Sequence, residues 1–205
     1  MTLYLFFNKK GFTLVETMVA ITIITLAVAG PMSAASRAVV AAQGARYQLI
    51  ASHLAQEGIE YVRLMRDNEY LATRPGGSHV SGDPWDNFLN GSPSYSGSIE
   101  QCRTKINSTN ICTLDPVSAP TMCVGAVGAC SLQVCPGGTC TVPLYLTAGG
   151  IYTQQSAGNT KTVFTRTIQT YSPTAVDERI DSKVSWNFHG TTYLVTVSDH
   201  LTQWQ

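Results

Sequence analysis

The sequence predicts an α+β fold, in which one long N-terminal helix packs on a C-terminal antiparallel β-sheet and a cysteine-rich, loop-dominated insertion lies between them. Three observations predict it. Mostly apolar residues begin at Phe12, and Glu16 is the only charged residue between Phe12 and Ser36. Further on, Tyr47, Ile50, Ala51, Leu54, Ala55, Gly58, Tyr61, Val62 and Met65 recur at spacings of three and four, which places them on one helical stripe. From Lys161 the chain turns to Thr, Val, Ile and aromatic residues in partial alternation, the pattern of strands.

In chain order, residues 1–11 read as a leader ending in Lys9-Lys10-Gly11. Residues 12–36 read as a membrane-spanning helix, since about 20 apolar residues at 1.5 Å each cross the hydrocarbon of a bilayer. The lysine pair should stay on the cytoplasmic side and send the remainder outward. Glu16 is out of place in such a helix. A carboxylate there costs about 2.5–3.5 kcal/mol even on lenient scales, so it calls for a partner. Gly11 is the small residue a peptidase needs at a scissile bond, and a cut there creates a new α-amino group at Phe12. Four residues separate Phe12 from Glu16, so ammonium and carboxylate lie near one face and satisfy each other, within a chain or between neighbours.

The run Lys10-Gly11-Phe12-Thr13-Leu14-Val15-Glu16 resembles the class III signal of type IV pilins and type II secretion pseudopilins, most like a minor pilin. The resemblance implies cleavage after Gly11 and N-methylation of Phe12 by a prepilin peptidase/methyltransferase. It implies packing of subunits into a filament through Glu16, with other pilin subunits and an inner-membrane assembly platform as partners. It further implies a single-pass inner-membrane precursor with a cytoplasmic N-terminus and an extracytoplasmic head, which passes into a pilus or pseudopilus on assembly. Two plainer readings exist. Ala27-Val28-Ala29 before Gly30 has the small-x-small pattern of an ordinary secretory cleavage site, and the helix alone would serve as an anchor for a tethered binding module or adhesin. Neither accounts for Glu16.

The helix is expected to run from Phe12 to about Met65 with a kink at Gly30-Pro31, where the ring removes a backbone donor. Its stretch 37–66 is the amphipathic part that packs on the head. Residues 67–160 form the loop-rich insertion. Within it Asp83-Pro84-Trp85-Asp86-Asn87-Phe88-Leu89 offers an N-cap followed by proline at the first helical position, so a short helix is expected, with Trp85, Phe88 and Leu89 as a lid over the core. Cys140–Leu146 and Gly150–Gln154 suit an additional hairpin. Residues 161–205 form the antiparallel sheet from strands Thr162–Tyr171, Arg179–Phe188 and Thr191–Val197. A two-residue turn at His189-Gly190 sets Trp186 opposite Tyr193 and Val184 opposite Val195.

The formal net charge is zero and only 13% of the 205 residues are charged, so no basic patch argues for nucleic acid. All six cysteines, Cys102, Cys112, Cys123, Cys130, Cys135 and Cys140, fall within one short window. Their irregular spacing, without C-x2-C or nearby histidine, argues against zinc, while the outward topology argues for disulfides whose pairing the sequence leaves open. No catalytic constellation assembles. His53, His79, His189 and His200 are isolated, and neither a metal nor a cofactor is implied. Asp177, Glu178 and Asp181 read as a solvated turn rather than a calcium site. Asn90-Gly91-Ser92 and Asn107-Ser108-Thr109 fit the N-glycosylation pattern. The chain therefore reads as a structural subunit and not an enzyme.

Overall fold

The computed structural model describes residues 11, 13–77, 82–91, 99–104, 110–118, 122–123, 132–135 and 140–203. It confirms the α+β class: a long helix and sheets whose strand pairs are antiparallel except at one short edge, where residues 122–123 run parallel to 132–133. The chain divides into two units, residues 1–46 and 47–205.

Helix α1 runs from Leu14 to Thr73 and continues through Pro31. In residues 1–46 the described part is helical and exposed almost throughout. Hydroxyls in this stretch bond back to their own helix. Thr17, Thr22 and Thr25 donate to the carbonyls three residues earlier at 2.8, 2.8 and 2.9 Å, and Ser33 donates to Gly30 O at 2.8 Å. An apolar helix tolerates hydroxyls when they are satisfied in this way.

In residues 47–205 the stripe on α1 packs on the sheet. Ala51, Leu54, Ala55, Gly58, Ile59, Val62 and Met65 are buried, as their spacing demands. The helix outlasts the apolar stripe, ending at Thr73 rather than Met65, because Arg66 and Glu69 are also buried. Opposite it lies a sheet of order β2-β3-β1-β7-β8-β9, with β1 Cys112–Leu114, β2 Met122–Cys123, β3 Leu132–Val134, β7 Phe164–Thr174, β8 Asp177–Phe188 and β9 Thr191–Thr202. A smaller sheet joins β4 Tyr145–Leu146 to β5 Tyr152–Thr153 and β6 Thr160–Lys161, so the expected hairpin forms from β4 and β5.

The β8–β9 register pairs Trp186 with Tyr193 and Val184 with Val195, as the turn predicts. His189 and Gly190 both have positive φ, 51° and 80°, the two-residue turn whose twist matches the strands it joins. Strand alternation sends Phe164, Arg166, Ile168 and Thr170 of β7 to the helix side, with Trp186, Val184, Ser182 and Ile180 of β8 beside them. Gly58 sits against this face so closely that a Cβ there would run into Ser182 Oγ and Ile168 Cδ1. It is the point at which helix backbone meets sheet.

The core has two parts. Ile59, Val62 and Met65 pack with Phe88, Leu114, Leu132, Ile168, Ile180 and Leu201, while Ala51, Leu54 and Ala55 pack with Leu144, Phe164, Val184 and Trp186. The short helix α2, Pro84–Asn90, forms as expected, with Asp83 Oδ1 accepting from the Trp85 and Asp86 amides. It closes the first part as a lid: Trp85, Phe88 and Leu89 are buried, and Trp85 Nε1 donates to Ala175 O at 2.9 Å. Among the described residues two disulfides form, Cys102–Cys112 inside the core and Cys135–Cys140 just after β3. Cys130 lies outside the described residues, and for Cys123 the backbone alone is described.

Glu69 is fully buried, and burial pushes its carboxyl up from 4.5 to about 7. Between those values the folded chain holds a proton that the unfolded chain has lost, so stability falls as pH rises through that range and levels off above about 7. Thermal melts across the range are expected to show this slope, and Glu69→Gln is expected to flatten it.

Candidate functional site: the N-terminal motif

The candidate site is the start of α1. Gly11 is exposed with open space around its Cα. Phe12 lies outside the described residues. Thr13 directly precedes the helix, and its Oγ1 accepts a hydrogen bond from the Glu16 amide at 3.3 Å, while its carbonyl accepts from the Thr17 amide at 3.2 Å. Thr13 is therefore the N-cap and Glu16 the third helical residue, the spacing of a capping box. Sequence reasoning treated Glu16 as a mid-helix carboxylate four residues from Phe12 and missed the cap, although Thr-x-x-Glu before an apolar run is its sequence signal.

The cap changes the electrostatics. The first turn of a helix presents unpaired amides and the positive end of the macrodipole, so a carboxylate is favoured there more than anywhere else along the apolar run. The same end is where cleavage after Gly11 would leave an ammonium group. Beyond it the helix is apolar enough to cross a membrane, with a mean hydropathy of 1.9 and no burial in the chain itself across that window. Length and hydropathy of this kind are shared with signal sequences and core helices.

The remaining sequence candidates are dispersed. Asp177 contacts the His200 ring at 3.0 Å, Glu178 accepts from Ser172 at 2.6 Å, and Asp181 accepts from Arg179 and Ser198 at 2.8–3.0 Å. Adjacent positions on a strand face opposite sides, so the three carboxylates do not converge. Arg179, together with Ser198, holds the Asp181 carboxyl below its ordinary value. Among the described residues no cluster of His, Cys, Asp and Glu is arranged to hold a metal. Asn90 is engaged on both sides of its amide, donating to Asp86 and accepting from Arg103 at 2.7 and 2.9 Å. Asn107 and His79 lie outside the described residues.

One polar group that sequence reasoning passed over is Arg166. It is wholly buried on the helix side of β7, where Nη1 reaches Leu54 O at 3.1 Å and Glu57 Oε2 at 2.5 Å, and Nη2 reaches Leu114 O at 2.9 Å. Burial pulls the guanidinium below its ordinary value and Glu57 opposes that. Nearby, Asp115 is also buried and accepts from Thr153 Oγ1 at 2.9 Å and Ser118 Oγ at 3.2 Å. These groups tie α1, β1, β5 and β7 together.

Set against known proteins, the chain matches no curated protein and no solved structure. Set against protein families, it matches the prokaryotic N-terminal methylation motif, and the match falls on the segment just described. The chain thus carries, over residues 6–30, the N-terminal methylation motif that is the signature of type IV pilins.

Proposed function

We propose that this chain is a type IV pilus or type II secretion-like filament subunit, a minor pilin or pseudopilin. Its precursor inserts once in the inner membrane with a cytoplasmic N-terminus, and a prepilin peptidase/methyltransferase cuts after Gly11 and methylates Phe12. The mature chain then joins other pilins through its N-terminal helix, with Glu16 meeting the Phe12 amine of a neighbour. The protein is a structural subunit, not an enzyme. One observation carries this reading: a methylation motif that places a carboxylate in the first turn of an apolar, uncovered helix.

Glu16 separates a filament subunit from a simple anchor. For an anchor the carboxylate does no more than favour the first turn, and Glu16→Leu should leave insertion and function intact. In a filament, removing one member of a buried ion pair strands the other, at about 3–5 kcal/mol for each contact. The expected result is a processed, membrane-resident protein that starts at Phe12 by mass spectrometry and is missing from sheared filaments. A mutant that enters filaments at wild-type stoichiometry would remove Glu16 from assembly, and a mature start at Gly30 would favour an ordinary secretory signal.

A further inference from the structure

The charges of this chain are sorted by position. Setting histidines aside, only Arg37 and Arg46 carry charge between Glu16 and Glu57, only Lys161 in residues 140–165, and only Lys183 in residues 183–198. The last parts of these stretches meet at one end of the sheet-and-helix unit. Tyr47, with which that unit begins, sets its ring edge-on to Phe164 and Phe188 at 5.8 and 5.4 Å. Trp186 pairs with Phe164 on one side and Tyr193 on the other. The acidic residues of the sheet lie away from this end. Asp181 is five residues from Trp186 along β8, about 16 Å at the rise of a strand, and Asp177 and Glu178 are farther still. Asp199 pairs in the row of Ile180. Glu57, the nearest acid on α1, is held by Arg166, and Asp115 is buried on Thr153 and Ser118.

The end that begins at Tyr47 therefore offers basic charge without a free carboxylate. It offers apolar surface too, since Leu49, Val163, Tyr193 and Leu194 are exposed. Exposed aliphatics, aromatic rings and basic side chains together are the mixture that suits a membrane–water interface. We infer that, in a chain anchored by α1, this end of the unit rests on anionic phospholipid headgroups, a reading that needs the membrane anchor but not filament membership. Arg46 and Lys161, both exposed, meet lipid phosphates, while Leu49, Val163 and Leu194 enter the headgroup layer. Weak contacts suffice. A short link to an anchor holds its cargo at about millimolar effective concentration, and each basic residue near an anionic surface adds about fivefold to the partition constant.

The test uses the full chain in lipid nanodiscs of phosphatidylcholine, alone or mixed with phosphatidylglycerol. A trace lipid carries a gadolinium chelate on its headgroup, and the relaxation of backbone amides is read residue by residue. In anionic discs residues 161–164 and 189–194 are expected to relax several-fold faster than residues 177–181 and 84–90. The link alone brings the first group nearer to the lipid, so the comparison that decides is between lipids. The contrast between the two groups is expected to fall about fivefold or more in neutral discs, and equally for Arg46→Glu with Lys161→Glu in anionic discs. Salt at about 1 M, where screening acts within about 3 Å, should also lower it. Both substitutions are at exposed positions, and unchanged amide shifts elsewhere would show the fold intact. The same contrast in neutral and anionic discs, or in wild type and the double variant, would overturn the proposal. A chain that separates from the discs on flotation would overturn the anchor reading along with it.

Discussion

Arg166→Ala is expected to destabilise the sheet-and-helix unit by about 3–5 kcal/mol, from the hydrogen bonds withdrawn inside the core and the cavity that a large buried side chain leaves; Glu57, with 40% of its side chain exposed, falls back on solvent. The guanidinium reaches two main-chain carbonyls from different elements, Leu54 in α1 and Leu114 in β1, along with the Glu57 carboxylate. Alanine withdraws a side-chain donor from both carbonyls and opens a void in the row between Phe164 and Ile168. For a chain of this size the loss corresponds to roughly 6–20 °C in melting temperature. Arg166→Met combined with Glu57→Gln keeps the volume and removes both charges, so its cost should be smaller by about half or more. Thermal melts of the two variants check this. If Arg166→Ala melts with wild type, the buried set contributes nothing net.

Trp186→Ala is expected to cost a similar amount, about 3–5 kcal/mol, through lost transfer energy and a cavity. The ring is 5% exposed, lies 6.1 Å from the Phe164 ring, and stacks on Tyr193 at 5.6 Å with 16° between planes. Trp186→Phe keeps much of that contact and should recover most of the stability. Denaturant titration of the three proteins gives the comparison; an unchanged midpoint for Trp186→Ala would mean that the ring contributes no packing.

These two residues also show what was legible in the sequence. Trp186 was, because its alternation with Val184 and Phe188 and the two-residue turn fix the register on local information alone. Arg166 was not. Alternation marks it as a polar residue on a face that should be apolar, and nothing local says that a helix carbonyl far away in sequence will accept its hydrogen bond. The strands β1 and β3 escaped for a related reason: three residues carry no period, and they become strands by pairing with each other and with β7. The final turns of α1 were missed because Arg66 and Glu69 interrupt the apolar stripe while being buried themselves. At the N-terminus the motif was legible, but its second meaning, a cap at Thr13 closing on the Glu16 amide, was hidden behind the first. Disulfide pairing was beyond reach, since spacing does not distinguish Cys102–Cys112 and Cys135–Cys140 from other choices.

Leu201, near the end of the chain, shares a core with Ile59 and Val62 of α1. Contacts this distant in sequence close late. Synthesis at about 5–20 residues per second brings β8 and β9 out on the order of 10 s after the helix they cover. For that interval the stripe from Ala51 to Met65 has no sheet to lie on, and it is as sticky to other chains as it will later be to its own. Substitutions that slow closure of the β8–β9 hairpin would then appear first as lost yield, before any change in what the finished protein does.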